Sequence, residues 1–465
     1  MSDKEVLLDS LLWHASSSIV LQEKGTYYVV LNPDVPNIMV ADKIGAKIFH
    51  LSDGKHSVRD VLDSVCGENA LDRTDALTYI QNLVKTGFLS TAGVLPAAKA
   101  LRTCDKIRSL VLHITEECNL RCKHCYFAAT NPRAGEMSES EFVAVVQQFA
   151  ELGGESLLIT GGEPLLQKSK LHAVIEEARR QKIDRILVDT NGTLASEGDA
   201  AFFKDHNVNV GISLDGATRE THEFIRGKGS YDKALAGIKA MTDAGVNTVI
   251  GTTLMKPNLH EAADVLHLAK KLNVSMIDFV LIKHKGRAKD NQPTLEFTVQ
   301  ELSKTMKEIL RTSTEVGVKT SFEELQTSTR TFVKRDLCGA GIGLIGVAAN
   351  GDVYPCDALH EEPLRAGNIR EKSLGEIWKN SPVLNAFQHL SVTTMEGCKD
   401  CMYKFICGNG CPADSYITHG DFTKCSPLCP MYKEIFDYMI AQIAEDLWRE
   451  INTQSGDNSL SNKSI

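Results

Sequence analysis

Between residues 108 and 283 the sequence alternates six apolar runs with amphipathic segments. The apolar runs include LVLHIT, SLLIT and RILVDT, and intervening stretches such as EFVAVVQQFAEL carry apolar residues at the three- and four-residue spacing of a helix. Nearly continuous apolar strands that alternate with helices are typical of a parallel sheet covered on both faces, with right-handed crossovers. The pattern therefore predicts an α/β fold whose sheet is open or curved toward a barrel. In such folds the chemistry gathers at the carboxyl ends of the strands.

The cysteines fall into two groups. Of the 13 cysteines, three lie in CNLRCKHC, directly after LVLHIT, and eight lie between residues 338 and 429. Cys66 and Cys104 stand alone, and we expect them to be buried or incidental thiols. Because no secretory signal is recognisable in MSDKEVLLDSLLWHAS, clustered cysteines indicate metal or redox chemistry rather than disulfides.

The first group consists of Cys118, Cys122 and Cys125. Three thiolates from one loop suit three corners of an iron–sulfur cubane and leave one iron open to a small molecule. A structural zinc site would require a fourth ligand in a closed tetrahedron. His124 is the candidate, but it lies between two of the cysteines, where chelation is awkward.

Residues 108–315 resemble the radical S-adenosylmethionine (SAM) superfamily, whose hallmark is this three-cysteine loop after the first strand. The resemblance extends to GGEPL after the second strand, TNGT after the third, SLDG after the fourth, and the segment HEFIRGKGSY. It implies a partial (β/α)6 TIM-type barrel. It also implies a SAM-binding site formed by Gly161, Gly162, Glu163, Asn191, Ser213, Asp215, Arg226 and Tyr126. The family's aromatic residue before the third cysteine is replaced by His124, which leaves the adenine contact to Tyr126 or Phe127.

In this family a [4Fe-4S] cluster, here held by Cys118, Cys122 and Cys125 as the catalytic cysteines, reductively cleaves SAM. The product is a 5′-deoxyadenosyl radical that abstracts hydrogen from substrate. The glycines of GGEP would let backbone carbonyls approach the methionine ammonium group, and Glu163 would add a negative charge. Arg226 would pair with the methionine carboxylate.

The eight later cysteines divide arithmetically into two four-ligand sites, which two structural zinc ions would also satisfy. The order GDVYPC, then CKDCMYKFICGNGC, then a terminal cysteine resembles the SPASM extension of peptide-modifying radical SAM enzymes, which implies two auxiliary [4Fe-4S] clusters. The resemblance assigns the distal cluster to Cys398, Cys401, Cys407 and Cys429. It assigns the proximal cluster to Cys338, Cys356 and Cys411. Cys425 completes the proximal cluster, exchanges with Cys429, or leaves the proximal iron open to a substrate thiolate.

Residues 1–92 read as a winged-helix-like α+β domain. KIGAKIFHLSDGKHSVRDVLDSV followed by LVKTGFL resembles the leader-recognition (PqqD-like) domains of peptide-maturation pathways. Such a domain would capture an extended leader as an added strand. The alternative is a DNA-binding module, although a net charge of −9 and the lack of a basic recognition helix argue against nucleic acid.

The predicted organisation is therefore a leader-recognition domain (1–92), a linker (93–107), the barrel (108–315), an auxiliary-cluster domain with a C-terminal helix (316–451), and a disordered tail (452–465). We expect a cytoplasmic enzyme without membrane contact. It would modify a ribosomally made, leader-bearing precursor peptide and take electrons from a ferredoxin or flavodoxin. Thioether formation at cysteine, as in sactipeptide and ranthipeptide maturation, is the leading prediction. The alternatives are an anaerobic sulfatase-maturase-like enzyme, a carbon–carbon cross-linking enzyme, and a non-catalytic zinc-stabilised peptide-binding protein.

Overall fold

The computed structural model describes residues 8–15, 19–34, 37–66, 72–93, 106–131, 135–322 and 335–454. Within these ranges one ten-stranded sheet forms the centre of the molecule, and two three-stranded sheets belong to the N-terminal region. Cys104, most of the predicted linker and residues 455–465 lie outside the described residues. No described helix is both long enough and apolar enough to cross a bilayer.

The N-terminal region contains short antiparallel strands and helices. Its elements are β1 (Leu11–His14), β2 (Val20–Lys24), β3 (Tyr27–Asn32), β4 (Asn37–Ala41), α1 (Lys43–Leu51), β5 (Asp53–Ser57), α2 (Val58–Cys66), α3 (Arg73–Lys85) and β6 (Leu89–Ser90). One sheet has the order β2-β3-β4 and the other β5-β1-β6. Gly25, with φ +69°, forms the turn between β2 and β3. The buried residues of α2 and α3 recur at three- and four-residue spacing, as in amphipathic helices.

The central region alternates strands and helices as the apolar pattern predicts. Its elements are β7 (Ser109–His113), α4 (Glu139–Glu151), β8 (Ser156–Thr160), α5 (Lys168–Arg180), β9 (Arg185–Thr190), α6 (Glu197–Asp205), β10 (Asn209–Ser213), α7 (Arg219–Arg226), α8 (Tyr231–Asp243), β11 (Thr248–Leu254), α9 (Ala262–Lys271), β12 (Met276–Leu281), α10 (Arg287–Asp290), α11 (Gln292–Leu295), α12 (Val299–Val316) and β13 (Lys319–Thr320). Strands β7 to β13 pair in parallel in chain order. The α/β prediction is confirmed. The sheet continues past residue 315, because β13 pairs with β12.

The C-terminal region extends the same sheet. Its elements are β14 (Leu344–Val347), β15 (Asp352–Tyr354), β16 (Gly367–Asn368), α13 (Leu374–Asn380), α14 (Pro382–Gln388), α15 (Lys404–Cys407), α16 (Pro412–His419) and α17 (Cys429–Gln454). Strand β14 pairs in parallel with β7, and β15 and β16 follow as an antiparallel meander. The Cys-rich region is therefore joined to the barrel edge that carries the first cysteine loop. Helix α17 continues three residues into the segment predicted as a disordered tail.

The β2-β3-β4 sheet is shared between two cores. On β3, Val29 and Leu31 face the large central core, whereas Val30 faces the N-terminal core. Alternation along a strand sends neighbouring side chains to opposite faces. The face toward the central core packs on α17, where Tyr27 stacks on Trp448 with ring centroids 5.2 Å apart. The N-terminal region is thus integrated with the C-terminal region rather than appended to it.

A buried ion pair fastens this junction. Lys404 Nζ lies 3.0 Å from Asp34 Oδ1, and the two side chains are 9% and 8% exposed. Replacing Lys404 by Met leaves a buried carboxylate without its cation, so we expect a local destabilisation of about 3–5 kcal/mol. Native-state hydrogen exchange of β4 and α17 measures the opening free energy.

The half-exposed pair Lys307–Glu434, which joins α12 to α17, is the matched control. Lys307→Met should cost less than about 1 kcal/mol. Equal effects of the two substitutions would show that the Lys404–Asp34 pair does not fasten the junction.

Candidate active site

The three-cysteine loop lies between β7 and α4 and is held by main-chain and guanidinium contacts. Cys118 N donates to Thr130 O at 3.0 Å. Arg287 Nε donates to Cys122 O and its Nη1 to Ala129 O, each at 2.9 Å. The Arg287 backbone N–H also donates to Cys125 O at 3.0 Å. Because the loop has little regular structure of its own, Arg287 fixes its shape.

Sequence reasoning missed Gly286 and Arg287. Gly286 has φ +56°, and a Cβ there would lie 2.5 Å from Tyr126 O, so only glycine permits this approach. Both residues follow β12 at the carboxyl edge of the sheet. The rule that places chemistry at strand ends, applied to the segment after the sixth strand, would have found them.

The GGEP segment packs against the cysteine loop. A Cβ on Gly162 would lie 2.0 Å from Glu117 O, and one on Gly161 would lie 2.4 Å from Thr115 O. Gly162 N donates to Thr115 O at 2.8 Å and Glu163 N to Glu117 O at 2.7 Å. The two glycines are thus required for contact between loops, in addition to any approach to a ligand.

Glu163 joins the loops after β8 and β9. Its carboxylate is fully buried and accepts hydrogen bonds from Thr190 Oγ1 at 2.6 Å, Asn191 N at 2.8 Å and Leu165 N at 3.0 Å. Burial raises the pKa of Glu163 above its ordinary value, although these donors oppose the shift. The sequence predicts that Glu163 adds negative charge beside a methionine ammonium group. In the structure these hydrogen bonds occupy its carboxylate, and Glu163 does not line the cavity described below.

Asp215 likewise lies behind the cavity wall. It is fully buried, its Oδ2 lies 2.6 Å from Arg226 Nε and 3.6 Å from His124 Nε2, and its Oδ1 accepts from Thr253 N. Burial alone would raise the pKa of Asp215, but Arg226, His124 and the Thr253 N–H together outweigh it, and that pKa lies below its ordinary value. The resemblance assigns Asp215 to the SAM site, but in the structure Asp215 is paired with Arg226 and does not line the cavity. Burial lowers the pKa of His124 to about 4.

A cavity of about 440 Å³ opens at the carboxyl edge of the sheet. The predicted site residues that line it are Cys118, Cys122, Cys125, Tyr126, Gly161, Gly162, Asn191, Ser213 and Arg226. Residues that the sequence did not single out also line it, among them Asp189, Asp278, Lys283, Arg287 and Asp357.

The three thiols suit a metal cluster. Burial raises the pKa of Cys118 and raises that of Cys122 to about 11. Neither thiol would ionise readily near neutral pH without a bound cation, and a metal centre supplies one. Three cysteines on the cavity wall therefore fit a cluster with one iron facing the cavity.

Two carboxylates from opposite parts of the sheet, Asp189 on β9 and Asp278 on β12, form an acidic floor of the cavity. Among the described residues neither carboxylate has a hydrogen-bond or ion-pair partner in the protein. Burial, together with the charges of Asp278 and Asp357, raises the pKa of Asp189 to about 7. The floor therefore favours a neutral or cationic group over an anionic one.

The eight later cysteines separate into groups of three and five. Cys338, Cys356 and Cys411 belong to one buried cluster of side chains. A separate small cavity is lined by Cys398, Cys401, Cys407, Cys425 and Cys429. Cys425 lies in hydrogen-bonding contact with Cys398 and Cys429. Cys425 thus joins the group predicted as distal.

The segment CGNGC sends neighbouring cysteines to different groups. Gly408, Asn409 and Gly410 have φ of +59°, +64° and +64°. Three successive left-handed residues turn the chain sharply between Cys407 and Cys411, and glycine and asparagine are the residues that tolerate this conformation.

Two contacts connect the group of Cys338, Cys356 and Cys411 to the cavity. Tyr126 Oη donates to Asp357 Oδ2 at 2.9 Å, and Asp357 directly follows Cys356. Lys283 Nζ lies 2.6 Å from Asp414 Oδ1, one helical turn from Cys411. The cavity therefore borders both the first cysteine loop and the predicted proximal site.

Comparison with known proteins bears on this arrangement. Residues 112–269 match the radical SAM superfamily, and residues 338–402 match the SPASM iron–sulfur cluster-binding domain. An AdoMet-dependent heme synthase of Methanosarcina barkeri is 30% identical over 353 residues, which cover 69% of this chain and 96% of that protein. The chain belongs to the radical SAM superfamily. It is an enzyme of that superfamily with a SPASM domain, and it carries a SAM-binding [4Fe-4S] cluster and auxiliary iron–sulfur clusters.

Two further similarities extend the comparison. The subtilosin biosynthesis protein AlbA of Bacillus subtilis is 28% identical over 374 residues, covering 77% of this radical SAM chain and 81% of AlbA. The structure of Streptococcus suis SuiB bound to S-adenosylmethionine matches with a TM-score of 0.57 at 15% identity, covering 90% of this chain and 99% of SuiB. At that identity the likeness to SuiB concerns the fold.

We predict that Glu163→Gln weakens SAM binding about tenfold while the iron content is unchanged. The amide nitrogen would replace either Oε2, where it faces the Asn191 N–H, or Oε1, where it faces Thr190 Oγ1 and the Leu165 N–H. Either orientation leaves a buried group unpaired, at a cost of about 1–3 kcal/mol. The perturbation of the reduced cluster's EPR spectrum by added SAM gives the dissociation constant. The exposed substitution Glu151→Gln is the control. Equal affinities of the two variants for SAM would show that the hydrogen bonds of Glu163 to the loops after β8 and β9 do not support SAM binding.

Asp189 should make stability depend on pH. Burial and neighbouring carboxylates raise the pKa of Asp189 to about 7, above the value of about 3.9 in an unfolded chain, so the fold is most stable below about pH 4 and loses stability as the pH rises to 7. The free energy of unfolding of Asp189→Asn, relative to that of the wild type, should therefore rise by about 3 kcal/mol between pH 5 and pH 8. Anaerobic calorimetry of both proteins measures the difference. The exposed substitution Asp184→Asn should show no such trend, and a pH-independent difference for Asp189→Asn would refute the assignment.

Proposed function

We propose that this enzyme is a peptide maturase that forms thioether cross-links at cysteine residues of a ribosomally made, leader-bearing precursor. The observation that carries the proposal is the division of the later cysteines. Cys338, Cys356 and Cys411 would hold the proximal auxiliary cluster with three thiolates. Cys425 lies with Cys398, Cys401, Cys407 and Cys429 around the distal one. A proximal cluster with three protein ligands, beside the cavity, has room for a substrate cysteine.

The cofactors supply the difficult chemistry: when bound and reduced, the cluster of Cys118, Cys122 and Cys125 cleaves SAM to methionine and a 5′-deoxyadenosyl radical, which abstracts hydrogen. The chain's own residues position the reactants and exclude water. Arg226, held by Asp215, would bind the methionine carboxylate. Asn191 and Ser213, which line the cavity, would contact the nucleoside.

Each thioether removes two hydrogens from the peptide. One would leave the carbon as a hydrogen atom, taken by the 5′-deoxyadenosyl radical, and the other would leave the sulfur as a proton. An auxiliary cluster would accept the remaining electron. Asp357 is suited to take the proton, because Tyr126 occupies only its Oδ2 and the residue lines the cavity beside Cys356. This assigns Asp357 the role of general base.

Residues 1–92 would recognise the leader. Among the described residues β2 pairs only with β3, so its outer edge can accept an added strand. A cavity of about 350 Å³ borders this edge and α17, where it is lined by Val20, Gln22, Lys24, Tyr403 and Asp437 among others. SuiB has been solved with its precursor peptide SuiA, and its fold matches 90% of this chain. AlbA is named for the biosynthesis of subtilosin, a bacteriocin.

The cavity bears on the alternatives. Relatives named as heme synthases raise the possibility of a porphyrin substrate, whose carboxylates would meet the unpaired Asp189 and Asp278. Like charges close together in a low-dielectric cavity repel strongly, so Asp278, and Asp189 when ionised, disfavour a porphyrin carboxylate at this floor. Sulfatase-maturase-like oxidation and carbon–carbon cross-linking share the cluster plan, and they differ from thioether formation in the product.

The remaining assignments belong to the same proposal. The linker would span residues 93–107, the barrel 108–315 and the auxiliary-cluster domain 316–451. The enzyme would act in the cytoplasm and receive electrons from a ferredoxin or flavodoxin.

Anaerobic co-expression with a short, cysteine-containing open reading frame, sought beside the gene, tests the proposal. Mass spectrometry should show a loss of two hydrogens per link, and each linked cysteine should resist alkylation by iodoacetamide. Replacing Cys118, Cys122 and Cys125 by Ala should abolish both changes. A product that has lost two hydrogens but whose cysteines all alkylate would refute thioether formation, and formation of heme from an added iron porphyrin would indicate the activity named for the relatives.

Asp357→Asn should lower peptide cross-linking about 100-fold or more, the usual contribution of a general base, while 5′-deoxyadenosine still forms. Liquid chromatography of both products in one reaction measures this uncoupling. Tyr126→Phe keeps the Asp357 carboxylate and serves as the matched variant, with a smaller loss expected. Parallel losses of both products in Asp357→Asn would contradict its role as base.

A further inference from the structure

A buried ion pair crosses from the barrel to the C-terminal region beside the predicted proximal cluster. Lys283 follows β12 and lines the cavity, and its Nζ lies 2.6 Å from Asp414 Oδ1. The side chains are 15% and 9% exposed. Asp414 lies on α16, whose N-cap residue is Cys411, and Asp414 N donates to Cys411 O at 3.0 Å.

The contribution of the Lys283–Asp414 pair to fold stability does not explain why it is buried here. Taking two charges out of water costs several kcal/mol each, and apolar side chains of similar size usually stabilise a buried site as well or better. Asp414 Oδ2 is buried without a hydrogen-bond partner among the described residues, so its desolvation is only partly offset. The charges are therefore expected to act on something nearby.

That neighbour is Cys411. Asp414 lies in the first turn of α16 and its N–H donates to Cys411 O, so the ion pair lies within one helical turn of this predicted ligand. Fixed charges near an iron–sulfur cluster shift its reduction potential, because reduction adds one negative charge. A cation stabilises the reduced form, and a carboxylate destabilises it.

We propose that Lys283 and Asp414 are positioning residues that set the reduction potential of the proximal auxiliary cluster, with Lys283 raising it and Asp414 lowering it. The inference rests on the proposed function, from which it takes the ligands Cys338, Cys356 and Cys411. A higher potential makes this cluster a better acceptor for the electron that each thioether releases.

An EPR-monitored redox titration of the anaerobically reconstituted full chain, without peptide, tests the inference. The signal that disappears in Cys356→Ser identifies the proximal cluster. Lys283→Met should lower its midpoint potential, and Asp414→Asn should raise it. Lys283→Arg keeps the charge and should stay near the wild-type value, as should the double variant Lys283→Met/Asp414→Asn.

Lys289→Met removes an exposed cation a short distance along the chain and is the matched control, with no shift expected. Iron and sulfide analysis restricts the comparison to variants with the wild-type cluster content, and Lys283→Gln replaces Lys283→Met if the latter loses a cluster. Unchanged potentials, or shifts of the same sign in Lys283→Met and Asp414→Asn, would overturn the inference.

Failure of the proposed function gives a different result. If the potentials shift as expected but the wild-type enzyme makes no thioether, the charges tune the cluster and the reaction assignment is wrong. If Cys411→Ala retains the full iron content and the proximal signal, the ligand set is wrong and the inference falls with it.

Discussion

The cysteine loop after β7 depends on contacts from other strand ends, because it has little secondary structure of its own. Arg287 binds the carbonyls of Cys122 and Ala129. The glycines of GGEP meet the backbone at Thr115 and Glu117 without a Cβ between them. A parallel sheet brings these segments to one edge, and the hydrogen bonds between them turn that proximity into a fixed arrangement. Preorganisation of this kind lets three thiols hold a cluster while one side stays open.

Charge is distributed in layers around the cavity. Arg226 and Lys283 line the wall, and each is paired with a carboxylate that lies behind it, Asp215 and Asp414 respectively. Asp189 and Asp278 have no such partner among the described residues. The paired cations are thus fixed in direction, while the unpaired carboxylates keep their capacity to bind or exchange a proton with whatever enters.

The sequence predicts the strands and helices of the centre well, because continuous apolar runs and helical spacing are local signals. The sequence is a poorer guide to which residues line the cavity. Glu163 and Asp215 carry the right charge in the right motif, yet partners from other strands hold them behind the wall. The grouping of Cys425 depends on packing between distant segments and leaves no local trace. Two signals were readable: the consecutive Gly-Asn-Gly between Cys407 and Cys411, and the apolar residues on both faces of β3 and β4, which indicate a sheet covered on both sides.

That doubly covered sheet has a consequence for substrate delivery. The face of the β2-β3-β4 sheet toward the central core packs on α17, which begins at Cys429 in the group of five cysteines. A leader bound at the edge of β2 would therefore lie against the same helix that contributes to the predicted distal site. Because Lys404, one helical turn before Cys407, is paired with Asp34, any displacement of the sheet would act on the distal cysteines through a buried contact. Under the proposed function, leader binding would thus be coupled to the environment of the predicted distal site through this buried contact.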